Sequence, residues 1–106
     1  MRLLLDECVP GPLRLEFSGH TVTSVNWIGF KGLKNGELLR AAAVDHDVFV
    51  SVDKGLEFQH NLQDLPIAIL LLSARSNKLE ALLPMIPAAL EALRSISPRE
   101  FIKIEY

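Results

Sequence analysis

Two kinds of segment alternate along the chain. Residues 2–5 (RLLL), 20–25 (HTVTSV), 48–52 (VFVSV), 67–72 (IAILLL) and 101–105 (FIKIE) are short runs rich in branched or apolar residues, and each predicts a β-strand. The segments between them carry helical spacing. Pro10 and Pro12 suit the first turn of a helix running to about Phe17, where a missing N–H costs little, and Gly19 follows where that helix would stop. In the next helix Leu38, Leu39, Ala42 and Ala43 share a face, with Asn35 as N-cap and Glu37 in the first turn. Leu56 to Leu62 predicts a short helix ended before Pro66. Over residues 77–96 Leu79, Leu82, Leu83, Ile86, Leu90 and Leu93 form one stripe. Pro84 and Pro87 interrupt it, which predicts a kink or two helical pieces. That stripe, within LLPMIPAALEAL, reads as a core face, with a homodimer or partner face as the alternative.

Strand–helix alternation predicts a three-layer α/β/α sandwich around a mainly parallel five-stranded sheet. The VFVSV and IAILLL runs are nearly continuous in apolar character, as strands covered on both faces are. FIKIEY alternates instead, with Ile102, Ile104 and Tyr106 on one side and Lys103 and Glu105 on the other, which suits an edge strand. There is no repeat, low-complexity run or linker, so one domain over residues 1–106 is expected.

Composition narrows the class. An apolar content of 49% supports a real core without covalent staples. The longest apolar run, Ile67 to Leu72, is far below the roughly 20 residues a membrane helix needs, so no membrane role is expected. Arg2 is followed within a few residues by acids, unlike a signal peptide. Cys8 is the single cysteine, so no intrachain disulfide can form and a reducing cytoplasm is the expected location. A net charge of −2 argues against coating nucleic acid through bulk positive charge. It leaves room for an enzyme that meets a phosphodiester through a metal and a few local lysines.

The acids fall at informative positions. Asp6 and Glu7 follow the first strand, and Asp53 follows the third. In a parallel sheet all strand C-termini share one edge, and ligands bind in the crevice where the strand order reverses. In a 2-1-3-4-5 order Asp6 and Asp53 face each other across that crevice, and Glu37 lies at the same edge. Carboxylates converging in one cleft repel each other unless a divalent cation lies between them. Such a set suits Mg²⁺ or Mn²⁺, hard cations that polarise a phosphoryl oxygen or activate water. One cysteine and three histidines (His20, His46, His60) in unrelated contexts offer no zinc set, and Gly29, Gly32 and Gly36 have no phosphate-loop spacing.

Each of these residues also has a plain structural use. Asp6 could end a strand or cap a helix, Asp53 before Lys54-Gly55 could mark a turn, and Glu37 suits a helix N-terminus. Lys31, Lys34 and Lys54 could steer a phosphate backbone or simply be solvated. Trp27 and Phe30 could stack on bases or pack a loop onto the core. His60 could assist proton transfer or bind a phosphate oxygen, and it could equally be a surface histidine. Cys8 reads as a small packing residue.

Taken in order, LLLDECVPGPL, GHTVTSV, GLKNGELLRAA and VFVSVDKGLEF resemble the small PIN-like family, often described as toxin-like proteins of bacterial toxin–antitoxin systems. The resemblance covers nearly the whole chain. It implies a PIN-type fold and a metal-dependent ribonuclease site holding Mg²⁺ or Mn²⁺. The first-strand acid of the family pattern falls on Asp6 with Glu7 beside it, the helix-start acid on Glu37, and the Ser/Thr-x-Asp element on Ser51 and Asp53. Ser51 would then orient a ligand or water, with Lys34, Lys54 and His60 as RNA-binding candidates. RNA would be the substrate and an antitoxin protein the partner. Many PIN domains carry another acid two residues after the third one, and here that position is Gly55. The departure raises the alternative of a catalytically inactive PIN-like module that binds a protein or RNA. A third reading is a flavodoxin-like phosphoryl-transfer or receiver domain, against which the phosphate-coordinating Lys of a receiver, after the fifth strand, has no convincing counterpart at the C-terminus.

Overall fold

The structure, a computed structural model, describes residues 1–30, 32–33, 35–58 and 67–105. Five strands form one sheet: β1 (Arg2–Leu5), β2 (Thr21–Ser24), β3 (Val48–Ser51), β4 (Ala68–Ser73) and β5 (Phe101–Glu105). Their order is β2-β1-β3-β4-β5 and every pairing is parallel. The chain therefore steps outward from β1 to β2, returns past β1 to β3, and continues in the other direction. That reversal puts the switch point between β1 and β3.

Alternation along the strands divides the core between two faces. Leu3 and Leu5, Val48 and Val50, and Ala68, Leu70 and Leu72 are buried on one face, beneath Leu13 and Phe17 of the first crossover and the C-terminal helices. Leu4, Phe49 and Ile69 are buried on the other, against Leu38, Leu39 and Ala42 of α1 (Asn35–Asp45). With helices on both faces the architecture is a three-layer α/β/α sandwich. Hydrogen bonding at Ala42 and Thr23 ties the end of α1 back to the sheet. The Nδ1 of His46 lies 3.0 Å from the Ala42 carbonyl, which can only accept, so Nδ1–H donates there. In the neutral ring Nε2 then accepts the Thr23 hydroxyl at 2.8 Å.

The prolines shape the helical layer as their chemistry requires. Residues 77–96 break into α2 (Leu79–Leu82), a 3-10 turn (Leu83–Met85) containing Pro84, and α3 (Ile86–Leu93), with Pro87 in its first turn. Most of the expected stripe is nonetheless continuous in space: Leu82, Ile86 and Leu93 are buried in the same core together with Met85 and Ala89, and Leu79 and Leu90 pack against it, while Leu83 turns outward and is exposed. The stripe is thus a core face. The first crossover differs from expectation, since Gly11–Glu16 is a 3-10 helix and not an α-helix. Two prolines in so short a span remove backbone donors, and Leu13 N–H closes back on Pro10 at 3.1 Å in the tighter pattern. Lys54–Phe58 is likewise 3-10, and the rest of the helix expected to Leu62 lies outside the described residues. Helix α1 begins at Asn35 itself, one position earlier than expected. At the far edge Ile102 and Ile104 of β5 pack on the core, while Tyr106 lies outside the described residues.

Phe49 sits at the centre of the α1-side core with no exposed surface. Phe49→Ala is expected to lower unfolding free energy by about 3–5 kcal/mol, read from the urea midpoint at unchanged m-value.

Candidate functional site

The C-terminal ends of β1, β3 and β4 open into one cleft of about 560 Å³. Asp6, Glu7 and Cys8 enter it from β1, Asp53 and Lys54 from β3, and Arg75 from the loop after β4. Asp6 is held to the sheet because its N–H donates to the Val50 carbonyl at 2.9 Å, extending the β1–β3 ladder by one residue. Its carboxylate is aimed by three further donors. The Ser51 hydroxyl donates to Oδ2 at 2.7 Å, the Cys8 thiol lies 3.6 Å from the same oxygen, and the Glu7 N–H donates to Oδ1 at 2.8 Å.

Ser51 is the only buried polar side chain among the described residues. A hydroxyl has one proton and two lone pairs. The proton goes to Asp6, and a lone pair accepts the Asp53 N–H at 3.0 Å. One oxygen therefore couples the two strand ends that carry the acids. The Asp53 side chain is fixed in turn by the Gly55 N–H, which donates to Oδ1 at 2.9 Å. A Cβ at position 55 would stand 3.1 Å from that Oδ1, so any side chain there would crowd the carboxylate.

Glu37, exposed in the first turn of α1, is not among the residues lining this cleft. Among the described residues no three His, Cys, Asp or Glu side chains are grouped so as to hold a metal ion. Of the basic candidates Lys54 lines the cleft and is exposed, while Lys31, Lys34 and His60 lie outside the described residues. Trp27 and Phe30 part company: Phe30 packs against the core beside Ile28, whereas Trp27 is exposed.

Two contributors went unread in the sequence. Arg75, with Ser76 and Asn77, walls the cleft on the β4 side. The signal was the same one that marked Asp6 and Asp53, a polar residue just past an apolar strand, here SARSN after IAILLL. Cys8 is the other, lining the cleft and touching Asp6 where a packing role was expected. Burial pushes the Cys8 thiol above its ordinary value, and the adjacent Asp6 charge pushes it the same way, against hydrogen bonding from Val52 and Ser51.

A scan against family models, a search of curated proteins and a search of solved structures each find no match for the chain. No helix among the described residues is long and apolar enough to cross a membrane.

Ser51→Ala is expected to cost about 1–3 kcal/mol of stability, because it strips a buried partner from Asp6 Oδ2 and from the Asp53 N–H at once. Chemical denaturation measures it, and Ser51→Thr is expected to recover part of the loss. In metal-free protein, alkylation of Cys8 is expected to rise with pH along a curve displaced upward from that of an ordinary thiol. The sign follows from the raised pKa, which leaves less thiolate at a given pH. Asp6→Asn removes the neighbouring charge and is expected to shift the curve back down.

Proposed function

We propose that this protein is a divalent-metal-dependent ribonuclease of PIN-like type, the toxin component of a toxin–antitoxin pair, acting in the cytoplasm. The observation that carries the proposal is the placement of Asp6 and Asp53 on adjacent strand ends in one cleft, with the Ser51 hydroxyl bonding both the Asp6 carboxylate and the Asp53 backbone N–H. The ordered resemblance of the sequence to the PIN-like family supports the same assignment.

The donor set suits one kind of ion. Mg²⁺ is commonly held by one or two carboxylates, with waters and substrate phosphate oxygens completing its shell, so a third acidic ligand is not required. Asp6 and Asp53 would hold Mg²⁺ or Mn²⁺, with Glu7 assisting from the rim. When bound, the cation would polarise a phosphoryl oxygen and acidify a water. The chain's own residues supply the remainder. Arg75 and Lys54 bring positive charge to a cleft that otherwise carries three carboxylates, and a guanidinium matches phosphate geometry in two parallel hydrogen bonds. Ser51 keeps the Asp6 carboxylate in one orientation and so limits reorganisation when an anionic substrate enters. Asp53 Oδ2 has no hydrogen-bond partner among the described residues, which leaves that oxygen open to a ligand.

Gly55 favours a second reading, a catalytically inactive module on the same scaffold that binds a protein or RNA partner. With a glycine in that position and Glu37 outside the cleft, the acid count is low for a two-metal site.

Calorimetry with Mn²⁺ at millimolar concentration separates the two. The ribonuclease reading expects saturable heat, a thermal shift and RNA cleavage abolished by chelator. Asp6→Asn and Asp53→Asn are each expected to lower cleavage by on the order of 100-fold and to weaken Mn²⁺ binding. Cleavage unchanged in both variants would sink the site assignment. No Mn²⁺ heat and no cleavage by the unmodified chain would favour the inactive module.

A further inference from the structure

Trp27 is the single tryptophan of the chain and leaves 58% of its surface exposed. The turn that carries it is nonetheless well built. The N–H groups of Trp27 and Ile28 both donate to the Ser24 carbonyl, at 2.9 and 3.3 Å, and the Phe30 N–H donates to Val25 at 3.2 Å. Gly29 takes the positive φ of 80° that the turn requires. Val25, Ile28 and Phe30 turn inward onto the core, so the loop is anchored without help from Trp27. A large aromatic ring is thus held outward on a rigid support.

One contact of the ring has been built for it. The Arg14 guanidinium, from the crossover between β1 and β2, lies over the ring at 4.8 Å from its centroid. This cation–π pair fixes the plane of the indole. Its place in the fold connects it to the cleft. The Val25 N–H donates to the Leu5 carbonyl at 2.9 Å, so Val25 runs beside Asp6 at the same sheet edge. Trp27 is two residues further on, which keeps its backbone within about 12 Å of Asp6. Along that edge the order is Trp27 with Arg14 after β2, Asp6 after β1, Asp53 after β3 and Arg75 after β4.

We propose that Trp27, backed by Arg14, is a base-stacking platform for single-stranded RNA, holding a nucleobase close to the phosphate that lies in the Asp6–Asp53 cleft. The placement rests on the ribonuclease reading given above, while the platform itself rests on the exposed ring and its guanidinium. Stacking on an aromatic face is how sequence-tolerant single-strand binders gain affinity, since every base offers a π-face. Arg14 adds a positive charge beside the base, where the backbone phosphates must pass.

The test uses the full chain in chelator, so that no cleavage intervenes, with a labelled oligoadenosine of about 12 nucleotides followed by anisotropy. Binding is expected to quench the tryptophan fluorescence, which Trp27 alone supplies. Trp27→Ala is expected to weaken binding by about 5- to 150-fold, the range that one lost base stack converts to. Trp27→Phe is expected to restore much of it, and Arg14→Gln to give a smaller loss. In the presence of Mn²⁺ the loss is expected in KM more than in kcat. Affinity unchanged in Trp27→Ala, absence of quenching, or no RNA binding by the unmodified chain would each overturn the platform. The two readings separate cleanly. Cleavage that needs Asp6 but ignores Trp27 keeps the ribonuclease and removes the platform. Quenching and a Trp27-dependent affinity in a protein that never cleaves keep the platform and remove the ribonuclease.

Discussion

The Ser51 hydroxyl has one proton to donate, and it gives that proton to Asp6. Much of the cleft follows from this. The same oxygen accepts the Asp53 N–H, so the chain after β3 must leave the sheet in the direction that brings Asp53 beside Asp6. Ser51 is wholly buried, and a buried hydroxyl is tolerated only when its hydrogen bonds are made. Its partners satisfy it, and it in turn satisfies two groups on different segments. An apolar residue of similar size would pack equally well but would take the shortest hydrogen bond from the Asp6 carboxylate and the partner from the Asp53 N–H at the switch point. The strand is otherwise apolar, and this one polar position converts a sheet terminus into an organised pair of carboxylates.

The charges around that pair are balanced across the cleft. Three carboxylates arrive from the β1 and β3 ends, and Lys54 and Arg75 face them from the β3 and β4 exits. The two signs thus stand opposite one another across a single cleft. Gly55 contributes by what it lacks. Its N–H reaches Asp53, and the space a Cβ would need is already close to the carboxylate oxygen. The glycine at this position thus fixes the orientation of its neighbour.

Much of this was legible in the sequence. Five short apolar runs separated by helical spacing lead to a parallel sheet, and a parallel sheet sends every strand C-terminus to one edge. From that alone Asp6 and Asp53 could be brought together, and Pro84 and Pro87 could be placed as breaks in a helical stripe. Other features depend on tertiary detail that spacing does not carry. Glu37 stands on the correct helix turn, yet where that turn faces is set by the path of the loop between β2 and α1. Trp27 and Phe30 are near neighbours in sequence, and only the hydrogen-bonded turn decides which one faces the core. The 3-10 form of residues 11–16 reflects a crossover too short and too rich in proline for α-helical bonding. Arg75 was within reach of the same edge rule, since it follows an apolar strand as Asp6 and Asp53 do.

The strand order also has a cost in time. Strand β1 is made first and lies inside the sheet, between β2 and β3. Its Asp6–Ser51 contact spans 45 residues, and no strand in the sheet is paired through a local hairpin. During synthesis the apolar RLLL segment must therefore wait, half-paired, until VFVS has left the ribosome. Loop closures of that length are slow compared with local turns, and an unpaired apolar strand is a target for mispairing or chaperones in the interval. The Asp6–Ser51 contact therefore waits for the third strand, and the side of the cleft that carries Arg75 waits for the fourth, so the two acids stay apart while the first crossover and α1 are already free to take shape.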